Sequence, residues 1–319
     1  MRPVGARFIE PDAQTLSTPA SKIGYPPLVA ISSPQPGSEL DLAPPPSVAQ
    51  EGGIAAVRGI QAIWNHRSLL WAFVLRDLKH RYTGSSLGFF WTVVTPLLEL
   101  VTYTFVFHVL IGVRFVEGGG GSHYAVFLFC GMVTWYAVSD GLARAATAIT
   151  ENGHLIKKVN FPSFVLPAHI VASAVVNQCI RLFLLALATI ALGRGLSWHF
   201  LLVPFAVAVE AIFVLGVGLL LSVTAVYFKD TVHWVKAVLL LWMFVTPIFY
   251  PSSSYPEQYK LFLLLNPLAH LVGVFHELVL NQRLPHPHSV LVILVMSALS
   301  ITVGYSVFRH HRDRFADLV

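Results

Sequence analysis

The segment "LRDLKHRYTGSSLGFFWTVVTPLL", Leu75 to Leu98, changes character halfway along. Its opening turns carry Arg76, Asp77, Lys79, His80 and Arg81, whereas no charge appears from Gly88 to Leu98. Working upstream, residues 54–83 read as a helix too polar to span a membrane. Trp71, Val74, Leu75, Leu78 and Tyr82 recur at three- and four-residue steps and share one face. Arg76, Asp77, Lys79 and His80 lie largely off that face, and Asp77 can pair with Arg81 one turn on. Such a helix rests in the membrane interface, its apolar side in lipid and its basic side toward water and phosphates. Working downstream, Leu87 to Val109 is long enough to cross a bilayer, which takes about 20 apolar residues. The segment therefore reads as an interface helix feeding a first span.

Composition agrees. Of 319 residues, 55% are hydrophobic and only 12% charged, with mean hydropathy +0.67. A soluble domain carries about twice that charged fraction. An integral membrane protein follows, and a large soluble α/β protein is excluded. The net charge of +5 suits basic cytoplasmic loops, and no soluble domain is left to bind nucleic acid. The two cysteines, Cys130 and Cys179, sit inside apolar runs and read as small core residues rather than a disulfide. Ten of the twenty prolines fall within the first 50 residues, so residues 1–53 read as a disordered tail without a signal-peptide core.

Five further spans are expected at about Tyr124–Arg144, Phe164–Leu192, Phe200–Tyr227, Val232–Tyr250 and Ser289–Phe308. Between the last two, the apolar pieces near Leu261–Leu265 and Leu268–Leu280 are short and broken at Asn266-Pro267. They read as a re-entrant helical hairpin, its irregular backbone buried in protein. The fold class is thus all-α integral membrane, with six transmembrane helices, an amino-terminal amphipathic interface helix (residues 54–86) and an extracytoplasmic hairpin between the fifth and sixth spans. Residues 87–319 form the membrane domain.

Orientation comes from Lys and Arg in the connections. With a cytoplasmic amino terminus, the inside holds Arg76, Lys79, Arg81, Arg144, Lys157, Lys158, Lys229, Lys236, Arg309, Arg312 and Arg314. The outside holds only Arg114, Arg194, Lys260 and Arg283. Both termini are then cytoplasmic, as is "ENGHLIKKVNFPSFVLP", Glu151 to Pro167. In that loop Asn152 is placed to cap a short helix through Lys158, Pro162 ends it, and Pro167 falls in the first turns of the third span.

Catalytic motifs are missing. Glycine is never followed by lysine, so no Walker-type phosphate loop exists, and no His-Glu-x-x-His, paired-cysteine or Asp-x-Asp pattern occurs. "GGGGS", Gly118 to Ser122, reads as a flexible outside connection. Glu99, Arg181 and Glu210 fall inside spans, where charge is expensive and informative. Arg181 reads as neutralising a glutamate between helices, with Glu210 the candidate, and Glu99 as facing a pathway or interface. Pro96, one turn before Glu99, is placed to bend its helix. The aromatics Trp91, Tyr103, Trp135, Tyr136, Trp242, Phe249 and Tyr250 are candidates to line a conduit for sugar rings, whose C–H faces stack on aromatic faces. For any one of them taken singly, a place in the membrane belt or core is the stronger reading.

Taken in order, several of these stretches resemble a known family. Leu75–Leu98 is similar to the start of the membrane subunit of ABC type-2 polysaccharide exporters, the O-antigen and teichoic-acid export permeases. There an Arg-Asp-Leu-Lys-x-Arg-Tyr helix precedes Ser-x-Leu-Gly-x-x-Trp and a span with an early proline. The resemblance continues through "CGMVTW" (Cys130–Trp135), "NGHLIKKVNFPSFVLP" from Asn152, "VYFKDT" (Val226–Thr231), "TPIFYP" (Thr246–Pro251), "LNPLAHLV" (Leu265–Val272) and the closing "RFADLV". It covers residues 60 to 319, and the proline-rich tail departs from it.

The resemblance implies a permease in the bacterial inner membrane, working as a homodimer with two copies of a separate cytoplasmic ATPase that binds the ATP and magnesium. This chain would itself carry no cofactor or metal and catalyse nothing. Asn152, Leu155, Ile156, Lys157, Lys158, Asn160, Phe161 and Pro162 would form the coupling element seated on the ATPase. Asn266 and Pro267 would hinge an outer gate. The cargo would be a polysaccharide linked to an undecaprenyl-type lipid, its pyrophosphate met by Arg76, Lys79 and Arg81, which membrane phospholipids would satisfy equally. The competing expectations are a drug or lipid exporter of the same fold, a membrane enzyme acting on lipid-linked sugars, and an autonomous channel.

Overall fold

The computed structural model of the chain describes residues 65–82, 88–110, 112, 121–157, 161–193 and 195–319. The expectations for the tail at 1–53, for residues 54–64 and 83–86, and for Lys158, Asn160, Arg114 and Arg194 lie outside the described residues. Among those described, regular structure is helical throughout and no strand occurs. The helices are α1 (Arg67–Tyr82), α2 (Trp91–Thr104), α3 (Gly121–Thr147), α4 (Gly153–Ile156), α5 (Val165–Ala191), α6 (Val203–Tyr227), α7 (Thr231–Val245), α8 (Lys260–Leu265), α9 (Pro267–Phe275), α10 (Pro287–His311) and α11 (Phe315–Leu318).

Four stretches are long and apolar enough to cross a membrane: His123–Thr147, Val165–Ala191, Trp198–Tyr227 and Pro287–Leu318. They carry the second, third, fourth and sixth expected spans. The bent pair α8–α9 makes a fifth if its two arms count as one crossing. The first expected span is α2 followed by a π-helical stretch, Phe105–Leu110. The fifth is shorter than expected: α7 has 15 residues and stops at Val245, not Tyr250. Pro247 sets the stop, because the residue before a proline is pushed to extended geometry, and Thr246 sits at φ −82°, ψ 137°. The chain then turns inward, burying Ile248 and Phe249, and the Tyr124 hydroxyl donates to the Phe249 carbonyl at 2.9 Å.

The core lies around α3, whose Leu128, Cys130, Val133, Val138, Ala145 and Ala146 are wholly buried. It packs against α5 and α6, and α6 packs along α10. Without a hydrophobic driving force between helices in lipid, close approach of small residues does this work. A Cβ on Gly216 would fall 2.3 Å from the Ser300 carbonyl carbon, and one on Gly304 would fall 2.1 Å from the Gly216 oxygen. Beside this contact, the Ser297 and Ser300 hydroxyls donate to the carbonyls of Val209 (3.1 Å) and Phe213 (3.3 Å).

Three local expectations change. Of the single apolar face expected on α1, Val74 is buried and Leu78 half-buried, but Trp71 and Leu75 are exposed. The protein-facing side instead includes Phe73, whose ring lies 5.3 Å from that of His169 on α5. The helix is wedged on α5, so its apolar residues serve two sides. Cys179 is exposed, on an outward stripe of α5 with Phe183, Leu187 and Ile190. Gly121 and Ser122 of the glycine-rich connection belong to α3.

Candidate functional site

On α1, Asp77 and Arg81 stand one turn apart, and on α3 Asp140 and Arg144 repeat that spacing. Each pair therefore shares a helix face, and the two faces meet. Arg81 Nη2 donates to Asp140 Oδ2 at 2.6 Å and its Nε lies 3.5 Å from Asp77 Oδ2. Arg144 donates to Asp77 and reaches Asp140 Oδ2 at 3.4 Å. All four side chains are between 16% and 31% exposed, intermediate between a screened surface pair and a desolvated one. Sequence reasoning found Asp77–Arg81 and counted Arg144 only as a loop charge. The matching Asp140-x-x-x-Arg144 spacing was the available signal. Arg76 and Lys79, grouped with Arg81 as headgroup ligands, are exposed and stand outside this quartet.

Above the quartet a cavity of about 280 Å³ opens between α1, α2, α3 and α5. It is lined by Arg81 from α1; Trp91, Thr92, Thr95 and Pro96 from α2; Tyr136 and Asp140 from α3; and Ala174, Asn177 and Arg181 from α5. The guanidinium of Arg181 lies 4.3 Å from the Tyr136 ring centroid, a cation–π distance. The Tyr136 hydroxyl is shared with Glu99 and Tyr103. The expected partnership of Arg181 with Glu210 does not form. Glu210 is buried on α6 and accepts a hydrogen bond from Gln178 at 2.6 Å. On α5, Gln178 reaches Glu210 of α6, while Arg181 lies over the Tyr136 ring of α3.

At the other end of α3 from the hairpin lies the expected coupling segment. Thr150–Asn152 form a 3₁₀ turn leading into α4. Asn152 does not cap that helix: its amide donates back to the Ala148 carbonyl at 2.9 Å. The short helix is instead clamped from outside. Gly153 is buried beneath Val319, whose Cγ1 would lie 2.4 Å from an added Cβ. Val319 is held by α11, where Phe315 is wholly buried and stacks edge-on to Phe308 at 5.2 Å. Leu155, Ile156, Phe161 and Pro162 are half-buried and Lys157 is exposed. The Phe161 ring reaches Phe73 of α1 at 6.2 Å, linking this segment to that helix.

The bent helix pair expected as a hairpin (hereafter the hairpin) breaks where sequence placed the break. Helices α8 and α9 meet at 87°. Asn266 takes φ −86°, ψ 106° as the residue before proline, and Pro267 opens α9, where its missing N–H is tolerated. The Asn266 side chain accepts from the Leu268 N–H (3.0 Å) and the Trp242 indole (2.8 Å), and donates to the Thr246 hydroxyl (3.0 Å). One buried amide thus caps α9 and ties the hairpin to the end of α7. Its return arm is tied to α3 by His276, which bonds the Phe127 carbonyl and stacks on that ring at 4.2 Å. Beneath the hairpin is a larger cavity of about 740 Å³, lined among others by His123, Lys260, His270 and Arg283. Phe127 and Thr147 are separated along α3 by about 30 Å at 1.5 Å per residue, close to the thickness of a bilayer core.

The seven conduit candidates do not form one group. Trp91 and Tyr136 share the smaller cavity, and Tyr103 joins Tyr136 in an adjoining recess and meets Phe249 edge-on at 5.7 Å. Trp242 serves the hairpin hinge, the Tyr250 hydroxyl bonds the Phe244 carbonyl at 2.8 Å, and Trp135 is buried in the core.

Long apolar helices, a clamped loop helix and a helix pair bent at Asn266-Pro267 mark an all-helical integral membrane protein. The chain belongs to the ABC-2 type transporter family, whose pattern matches residues 68–280. It is similar to the O-antigen export system permease protein RfbA of Myxococcus xanthus, 31% identical over 265 residues, covering 82% of this chain and all of that one. A permease of the same description from Klebsiella pneumoniae is 29% identical over 254 residues, covering 79% of this chain and 95% of the relative. The polysialic acid transport protein KpsM of Escherichia coli is 22% identical over 243 residues, covering 76% and 93%.

Proposed function

We propose that the chain is the membrane permease of an ATP-driven exporter that moves a lipid-linked polysaccharide from the cytoplasmic to the outer side of the bacterial inner membrane. The observation that carries this reading is the likeness, over nearly their whole length, to permeases named for O-antigen export and polysialic acid transport. In this reading α2, α3, α5, α6, α7 and α10 are the six spans, and the hairpin lies outside. Two copies of the chain join two copies of a cytoplasmic ATPase. ATP and magnesium act on that partner, whose closure pushes on α4 and Lys157. The push passes to α11 through the Gly153–Val319 contact, and to α1 through Phe161 and Phe73. Turning α1 against the Asp77–Arg81–Asp140–Arg144 quartet opens the path for the cargo between the two copies.

Deleting the coding region should abolish surface glycan and leave lipid-linked polymer on the cytoplasmic side, restored by the intact chain. Normal surface glycan in the deletion strain would overturn the proposal. A compact drug or lipid exporter would instead show altered resistance or lipid asymmetry with glycan unaffected.

A further inference from the structure

The larger cavity, about 740 Å³, falls within the roughly 300–1,000 Å³ of small-molecule sites. It is walled by the start of α3, the turn after α7, both arms of the hairpin and the start of α10. His270 of α9 fastens three of these parts. Its Nε2 donates to the Leu264 carbonyl of α8 at 2.9 Å, because a carbonyl only accepts, and its Nδ1 lies 3.1 Å from the Ser289 hydroxyl of α10. The space is thus framed by the chain's own bonds.

One wall residue, Gly273, has no reason within the fold to be glycine. It lies inside α9, where glycine is costly relative to alanine, and it is not among the glycines at positive φ. Close packing does not require it either. A Cβ on Gly216 or Gly304 would fall within 2.3 Å of facing backbone, whereas one on Gly273 would meet no described atom within 4 Å. Gly273 faces the cavity with His270 before it and Glu277 after it, so the side chain it lacks is room added to the cavity. The same wall runs on into a π-helical stretch, His276–Leu280, a rare form that frequently marks functional sites.

The lining favours a neutral, hydroxylated ligand over an anion. Lys260 pairs with Glu257, and Arg283 donates to both carboxylate oxygens of Glu277, so each cation already has an acid of its own. The Glu277–Arg283 fork, the Asn281 amide and the Ser252, Ser253 and Ser289 hydroxyls set donors and acceptors side by side. Neighbouring hydroxyls on a sugar ring match that pattern. A volume of about 740 Å³ equals roughly 25 water molecules at about 30 Å³ each, room for roughly two sugar rings.

We infer that this cavity is a subsite for a short run of the cargo's sugars, held by hydrogen bonds on the outer side of the membrane and inside one copy of the chain rather than between two. The inference rests on the reading proposed above and adds to it a place where the glycan is gripped. A ligand seated there touches α3, α10 and both hairpin arms at once, and so braces the hairpin against the long helices.

The test uses the full chain in phosphatidylcholine nanodiscs and disaccharide fragments released by partial acid hydrolysis of the surface glycan that deleting the coding region removes. Saturation-transfer NMR should show weak, saturable binding to the intact protein, and excess inorganic phosphate should not displace it. Gly273→Ala should keep binding and be at least as stable as the parent. Gly273→Leu enters the cavity rather than a packed contact, so it should keep its thermal midpoint and lose saturable binding, a combination that structural damage does not produce. Asn281→Ala, which serves if the leucine variant does not fold, should weaken binding about three- to ten-fold, the loss expected for a neutral hydrogen bond. Parent-like affinity in Gly273→Leu, or in Asn281→Ala where the leucine variant does not fold, would overturn the inference. So would displacement by phosphate, or no saturable binding by the intact protein, and in each case the exporter reading would stand. Normal surface glycan in the deletion strain would overturn both.

Discussion

The α6–α10 seam and the attachment of α1 are built in opposite ways. At the seam two backbones touch through Gly216 and Gly304, and buried serine hydroxyls lock carbonyls across the gap. Neither helix can slide without a clash. Helix α1 is attached by the buried Val74, by two ring contacts of Phe73, and by a ring of charges in which each acidic group has two basic neighbours. Such a ring can trade one pairing for another at small energy difference. In the proposed exporter, that contrast assigns the seam to the frame and α1 to the part expected to move.

The strongest way to break the contrast is at the frame. Gly216→Val places side-chain atoms against the Ser300 backbone, and overpacking of this kind costs about 1–3 kcal/mol or more. The variant should show the largest fall in thermal midpoint by size-exclusion in detergent, and a midpoint equal to the parent's would show that the seam is not tight. Next comes Asn266→Ala, which removes the α9 cap, leaves the Trp242 indole N–H without its acceptor and takes one donor from the Thr246 hydroxyl, which keeps its bond to the Trp242 carbonyl. A destabilisation of about 1–3 kcal/mol is expected, with the hairpin's amides exchanging faster than those of α6.

Smaller in stability, and larger in function, is Asp77→Asn. It weakens the pairings to Arg81 and Arg144 at a cost of about 1 kcal/mol, raises hydrogen exchange along Arg67–Tyr82 and lowers export, leaving α10 protected. Equal exchange in both helices would mean that the charges do not hold α1. Raising ionic strength should mimic this more weakly in the intact protein, because partly exposed pairs are screened. Replacing Lys157 and Lys158 together with glutamate should leave the thermal midpoint unchanged while reducing co-purification of the ATPase. Full recovery of the partner would count against the coupling role.

What could be read from sequence was what is local. The break at Asn266-Pro267 was legible because Asn-Pro carries its own geometry, and the long helices because each shows an apolar run. The stop of α7 was legible too, in Pro247, although hydropathy alone extends the span to Tyr250. What escaped was what depends on a second element. The facing of Asp77–Arg81 with Asp140–Arg144 needs α1 laid against α3, and the glycine seam needs α6 aligned with α10 over residues 87 or 88 positions apart. Arg181 was assigned to Glu210 on charge alone, whereas Gln178 occupies the glutamate and Arg181 lies over Tyr136. On α1 the periodicity is correct, but a helix apolar on two sides does not reveal which side meets protein, and Phe73 rather than Trp71 does.

Val319 lying on Gly153 has a practical consequence for anyone handling this protein. A purification handle fused after Val319 would emerge beside the loop helix that the motor subunit is expected to grip, and would crowd that junction. An inactive fusion at that position should be blamed on its tag before its sequence.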